Sequence, residues 1–205
     1  MRETTDFREL MLEGGLNESS LSRVYRLTQK HESGTISAFR YAVYCGLGYI
    51  YSKSENMKRS SILKAKLLKL GYGVTKIDGT YIENYNTPNA IEVKEVSYIV
   101  VDINDLGSLE DDLKRLAFEF EQDSITFSLP NGEYYLIGTN KCEDSYPGYN
   151  KTIKLGKPLF GKDGEFHSKV NGRPFVFESI DRFSTIKDYS ISEIRSLSEL
   201  SKREI

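Results

Sequence analysis

The 205-residue chain has no tryptophan, two histidines, two cysteines and five prolines. Two histidines undersupply a histidine-based metal site or triad, and neither Cys45 nor Cys142 neighbours His31 or His167 in sequence. The cysteines have no CxxC spacing, which predicts a pair of reduced, partly buried thiols in a cytoplasmic protein. No GxSxG occurs. Gly156-Lys157-Pro158 lacks the earlier glycine and the following hydroxyl of a phosphate loop. Leu70-Gly71-Tyr72-Gly73 closes a helix, whereas a dinucleotide fingerprint opens one. Charge of either sign is nearly balanced at a formal net of −2, so no global positive field draws in nucleic acid or an anionic membrane. Long apolar runs are absent too, and Met1 to Asp6 carries charge where a signal peptide needs an apolar core, so no secretory or transmembrane segment is expected.

What remains is a globular composition, 39 % hydrophobic and 12 % aromatic, chiefly 14 Tyr and 10 Phe. A chain of this length buries roughly 70 % of its unfolded surface without staples. Leu21, Val24 and Leu27 or Thr28 predict an amphipathic helix from Asn17 or Ser19 to about His31. Thr35 to Phe39 alternates as a strand. Ser52 or Ser54 starts a helix that Gly71 ends, with Leu63, Leu67 and Leu70 inward and Ile62 at the edge. Val74 to Glu83 is extended, with Asp78-Gly79 a hairpin turn or a kink within one strand. Ile91 to Ile103 is apolar on both faces, as a covered central strand is, and its alternation shifts at Glu95-Val96, which predicts a bulge. Ser108 caps a helix with Asp111 in the capping-box position and Leu109, Leu113, Leu116 and Phe120 inward. Ser124 to Leu129 and Glu133 to Ile137 form a hairpin, Thr152 to Leu155, Glu165 to Val170 and Phe175 to Phe177 are short strands, and Ile191, Ile194, Leu197 and Leu200 predict a terminal helix. The sum is an α/β (α+β) fold: a mixed sheet of about five strands with two core helices on it, residues 1–140 forming the core domain and 141–205 an irregular or β-rich extension packed on the same domain.

Candidate chemistry rests on carboxylates and amides. Glu55 and Asn56 head the first core helix, Glu83 ends an extended segment, Glu92 and Glu95 enter the central strand, and Gln122-Asp123 follow the second core helix. If the fold brings these together, two acids can work as an acid–base pair or hold a hard cation. Ordinary capping explains acids at such positions equally well. Arg40, Arg59, Lys66 and Tyr81 are the ligand-binding candidates. Lys58, Arg59, Lys64, Lys66 and Lys69 make one helix the best local positive surface, and tyrosines 41, 44, 49 and 51 offer stacking faces. No metal site and no cofactor is expected.

Several of these pieces recur together: Glu55-Asn56, Gly71-Tyr72-Gly73, Gly79-x-Tyr81-x-Glu83, Glu95-Val96-Ser97-Tyr98 and Gln122-Asp123-Ser124-Ile125, with Leu21 to Tyr25 and Ile36 to Arg40 before them. The pattern resembles a group of uncharacterised small α/β proteins of bacteria and tailed bacteriophages, over residues 17 to 140. The resemblance implies a source and no activity. With catalytic signatures missing, the leading expectation is a non-enzymatic phage-type protein acting through protein contacts, as a virion component or a host-takeover or anti-defence factor in the host cytoplasm, with homo-oligomers possible. The alternative is a small enzyme or binding module for a nucleotide or nucleic acid, using the Glu/Asn/Gln/Asp group with Arg or Lys on phosphate.

Overall fold

The computed structural model describes residues 20–40, 51–83, 91–143, 145–160, 166–170 and 173–177, with the backbone alone for 20–22, 80–83, 91–93 and the strands after 157. In chain order the elements are α1 (Ser20–Lys30), β1 (Ser33–Ser37), α2 (Lys53–Lys69), β2 (Gly73–Glu83), β3 (Ile91–Val101), α3 (Leu109–Glu119), β4 (Ser124–Ser128), β5 (Tyr134–Gly138), β6 (Thr152–Gly156), β7 (Pro158–Phe160), β8 (Phe166–Val170) and β9 (Arg173–Phe177). The nine strands form one sheet in the order β6-β5-β4-β1-β3-β2-β8-β9-β7. Thus the α+β class expected from the sequence is what the chain forms, and β3 is its middle strand. The sheet is larger than five strands because residues 152–177 add four, and every pairing is antiparallel.

Strand alternation divides β3 between two cores. Val96, Tyr98 and Val100 face α2 and α3, where Leu63, Leu67, Leu109, Leu113 and Leu116 are fully buried. Ile99, Val101 and Ile103 lie with Ile77 of β2 against Val24 and Leu27 of α1. Each fully buried leucine contributes roughly 1.5–3 kcal/mol, so the leucine stripes hold the helices on the sheet. Ile62, placed at the edge of the stripe, is 52 % exposed. Ser52 opens α2 with a full capping box, its side chain accepting from Glu55 N while Glu55 returns to Ser52 N. At the far end Gly71 takes φ +90°, the left-handed closure its position predicted.

Helix α3 differs from expectation at its start. Ser108 is the N-cap residue but makes no capping bond; its hydroxyl meets the Tyr72 hydroxyl at 3.1 Å instead, and Asp112, not Asp111, accepts from Tyr72 at 2.7 Å. Asp78-Gly79 lies within the single eleven-residue strand β2, and β2 and β3 stay in register from Gly73↔Val101 to Glu83↔Ile91 with no bulge at Glu95. Cys142 is disulfide-bonded, which corrects the expectation of reduced thiols at that residue. Cys45, the tyrosines at 41, 44 and 49, and the terminal helix expected from Ile191 lie outside the described residues.

Gly34 in β1 marks where α3 presses on the sheet: a Cβ there would collide with the Thr126 carbonyl oxygen and stand 2.6 Å from Leu113 Cδ1. Gly34→Ala is therefore expected to destabilise by about 2 kcal/mol, the usual scale of overpacking, read as a lower urea midpoint with unchanged m.

Candidate active site

The candidate residues named from the sequence occupy two places separated by the thickness of the sheet. On the helix side, Arg40 pairs with Asp123 at 3.0 Å, and Asn140 donates to Asp123. Asn56, fully buried, accepts from Arg40 N at 2.8 Å and donates to Arg40 O and Tyr51 O. Arg59 donates to Ala38 O at 2.9 Å and Phe120 O at 2.7 Å, pairs with Glu121, and stacks 3.9 Å above the Tyr51 ring. Gln122 donates to Phe39 O and Phe120 O. Glu55 is engaged in the α2 cap, and Lys66 pairs with Glu119. These side chains tie the exit of β1 to the start of α2 and the end of α3, and most of their hydrogen bonds go to backbone. The expected anion-binding surface on α2 is reduced accordingly, since Arg59 and Lys66 both hold acids of the chain itself.

Glu95 lies on the opposite face, on which α1 covers Ile77, Ile99, Val101 and Ile103. Beyond that apolar stretch the face turns polar. Ser97 and Ser37 are direct partners across β3 and β1, and Gly79 is the direct partner of Glu95 across β3 and β2. Ser97 donates to Glu95 Oε1 at 3.1 Å. A Cβ on Gly79 would stand 3.3 Å from Glu95 Cγ and 3.6 Å from Ser97 Oγ, so the glycine leaves the space into which both side chains fit. Glu95 keeps partial solvent access, yet burial pushes its carboxyl up to about 7 despite the opposing hydrogen bonds from Ser97 and Ser37. A carboxyl balanced between its two forms near neutrality, in a wall of neutral hydroxyls, can carry or exchange charge with a small ligand.

Further along this face the hydroxyls are mostly buried and satisfy one another: Thr35 and Thr126 meet at 2.8 Å, and Ser33 meets the Tyr134 hydroxyl at 2.9 Å. Tyr81 and Glu83 belong to β2, opposite Val93 and Ile91, and their side chains lie outside the described residues. Glu95 therefore lies on the other face of the sheet from Glu55 and Asp123, and the side chain of Glu92, like that of Glu83, lies outside the described residues. Ser37, Ser97 and Gly79 were not singled out from sequence as site residues. Their only trace was the polar interruption of β3 at Glu95 to Ser97.

Among the described side chains, the one candidate on the face opposite the core helices is thus the partly buried Glu95 carboxyl, held by Ser97 and facing Gly79. The chain belongs to the S-Adenosylmethionine lyase family, whose model matches residues 35–178, from within β1 to just past β9. Among solved structures it is similar to a phage SAM lyase in complex with S-methyl-5'-thioadenosine, at 18 % identity and a TM-score of 0.28, over 53 % of this chain and 89 % of that one. No curated protein matches it.

Family membership corrects four expectations. The resemblance to phage-type proteins was drawn to an uncharacterised group, whereas the matching family is named for an activity. The non-enzymatic reading, the virion or host-takeover role and the expected protein partner all give way to an enzyme family defined by a small-molecule substrate. Of the sequence-based alternatives, the small enzyme was the nearer. Among the described residues no helix is long and apolar enough to cross a membrane.

Proposed function

We propose that the chain cleaves S-adenosylmethionine by a lyase reaction, with Glu95 at the substrate. The observation that carries this reading is the family match spanning β1 to β9. Glu95 supports it, as a partly buried acid between two serines and opposite a glycine. The phage origin expected from the resemblance is kept as part of the reading.

The substrate's own chemistry explains how few side chains such a site needs. When the substrate's own α-carboxylate attacks the carbon that bears the sulfonium, one C–O bond forms as one C–S bond breaks, the sulfur leaves as a neutral thioether, the amino-acid part leaves as a lactone, and no proton need be transferred. The protein supplies orientation and exclusion of water. S-Adenosylmethionine carries two positive centres, the sulfonium and the α-ammonium. Pairing a carboxylate with the sulfonium would stabilise a charge that disappears during cleavage and so favour the ground state over the transition state. Pairing it with the ammonium, whose charge persists, anchors the substrate without that penalty. We assign Glu95 to the ammonium, with Ser97 donating to its carboxylate.

The test is direct. The purified full chain, mixed with S-adenosylmethionine at pH 7 to 8, is expected to consume it and release S-methyl-5'-thioadenosine, followed by chromatography and mass spectrometry. Unchanged S-adenosylmethionine after prolonged incubation across this range rejects the reading.

A further inference from the structure

Gly79 sits inside β2, paired with Glu95 of β3 on one side and with Ser168 of β8 on the other. Its φ lies outside the left-handed region, so this backbone does not require a glycine. A glycine inside a paired strand loses backbone entropy on folding and packs no side chain, so the strand itself gains nothing from it. What it leaves is room. A Cβ at this position would stand 3.3 Å from Glu95 Cγ, 3.6 Å from Ser97 Oγ and 3.7 Å from Glu95 O. The last two are ordinary contacts, and the tight one is with the Glu95 side chain.

Residues directly opposite on paired strands hold their side chains against each other. Opposite Gly79 the Glu95 side chain meets none, and its Cγ takes up the space beside the β2 backbone. Ser97, two residues along the same face, donates to Glu95 Oε1 at 3.1 Å. The acid is thus set at two points, by room beside its Cγ and by a tether at its carboxylate. We propose that Gly79 is a positioning residue for Glu95: the space it leaves lets the carboxylate take the Ser97 hydrogen bond and meet the substrate's ammonium, so that a methyl group there weakens substrate binding while the fold stays intact. This rests on the reading of Glu95 given above.

Which group yields to added volume follows from burial. Ser97 is buried and Glu95 O belongs to the strand backbone, whereas the Glu95 side chain is partly exposed and free to rotate outward. The methyl is therefore relieved by moving the carboxyl, at little cost to stability and at the expense of the group assigned to substrate. The described neighbours on this face, Ser97, Ser37 and Ile77, do not titrate, and α1 adds Val24 and Leu27 to the adjoining apolar stretch. Lys76 and Asp78 of β2 alternate to the other face and pair with each other at 3.3 Å.

The experiment compares Gly79→Ala with wild type in the full chain. The variant is expected to raise KM for S-adenosylmethionine about 10-fold with kcat within about twofold, the mark of lost uniform binding, and to keep or raise the urea midpoint. In a Glu95→Gln background the same methyl should change kcat/KM by less than about twofold, because the charge it displaces is already gone. An unmoved KM in Gly79→Ala overturns the proposal, as does failure of the variant to fold, since the strand must accept the methyl. A full 10-fold loss in the Glu95→Gln background overturns it as well, by putting the methyl against the substrate itself. Carbon-13 NMR of the Glu95 side-chain carboxyl from pH 4.5 to 9 reads the displacement without turnover: loosening the Ser97 bond to the ionised form should raise the midpoint by up to about one pH unit. A wild-type chain that leaves S-adenosylmethionine intact sinks the functional reading, while a Glu95 midpoint unmoved by Gly79→Ala overturns the role of Gly79.

Discussion

Glu95→Gln is expected to lower kcat/KM for S-adenosylmethionine cleavage by about 100-fold and, at the same time, to stabilise the protein at pH 8. The amide keeps the shape of the side chain and an oxygen that can accept from Ser97, so the change removes charge and little else. The loss in rate follows if the carboxylate anchors the substrate's ammonium. The gain in stability follows from linkage. The Glu95 carboxyl is raised from 4.5 to about 7 in the folded chain, chiefly by burial. Between these pH values the folded chain holds a proton that the unfolded chain has released, so the stability linked to this group is fully present below about 4.5 and is lost as pH rises through 7. Above 7 the buried charge costs up to about 3 kcal/mol, which glutamine does not incur. Urea unfolding at pH 8 and pH 4.5 reads the difference: the variant should exceed wild type at pH 8 and match it at pH 4.5. A variant with full activity removes Glu95 from the site, and one with no pH-dependent gain removes the buried charge.

The same residue shows where the sequence was readable and where it misled. Leucine spacing placed α2 and α3 and their inner faces, and the two-faced apolar run placed β3 at the middle of the sheet. Those features follow from burial, which repeats at the period of each element. The reading failed at Glu95 to Ser97, where an alternating strand seemed to change phase and a bulge was inferred. The register is unbroken. The face itself changes, from the apolar Ile99 and Val101 under α1 to Glu95 and Ser97, because these positions have been given over to a polar surface. A break in alternation has two physical causes, a shifted backbone or a changed environment, and one strand read alone does not separate them. Gly79 was the missing hint, since a glycine within β2 opposite an acid signals close approach.

Activity was less legible than fold for a chemical reason. Searches for nucleophiles, triads and metal ligands presume a reaction in which the protein must make the leaving group or the attacking group reactive. A sulfonium arrives already activated. On the proposed reading the protein's task is to hold and orient, with a carboxyl on a strand face, and such a residue looks like an ordinary strand residue in sequence. Of the other acids named from sequence, Glu55 caps α2 and Asp123 holds Arg40.

Asn56→Ala is expected to destabilise the chain by about 4 kcal/mol, the largest stability loss among the substitutions considered. Asn56 is fully buried, and its amide serves three backbone groups, Arg40 N at 2.8 Å, Arg40 O at 3.1 Å and Tyr51 O at 3.3 Å. Alanine removes all three bonds from partly buried backbone, at roughly 1–3 kcal/mol each, and adds a small cavity. For a chain of this size the thermal midpoint should fall by about 10 °C. Asn56→Asp sharpens the expectation. Its carboxylate can still accept from Arg40 N but faces two carbonyl oxygens where the amide donated, so the variant should be about as unstable at pH 8 and recover as the pH falls and the carboxyl takes up a proton. Well below their midpoints both variants should lose less turnover than Glu95→Gln, because Asn56 bonds the backbone of β1's exit on the side of the sheet away from Glu95. A folded, stable Asn56→Ala protein with turnover as low as Glu95→Gln would move Asn56 from the scaffold into the site and place the substrate on the helix side of the sheet.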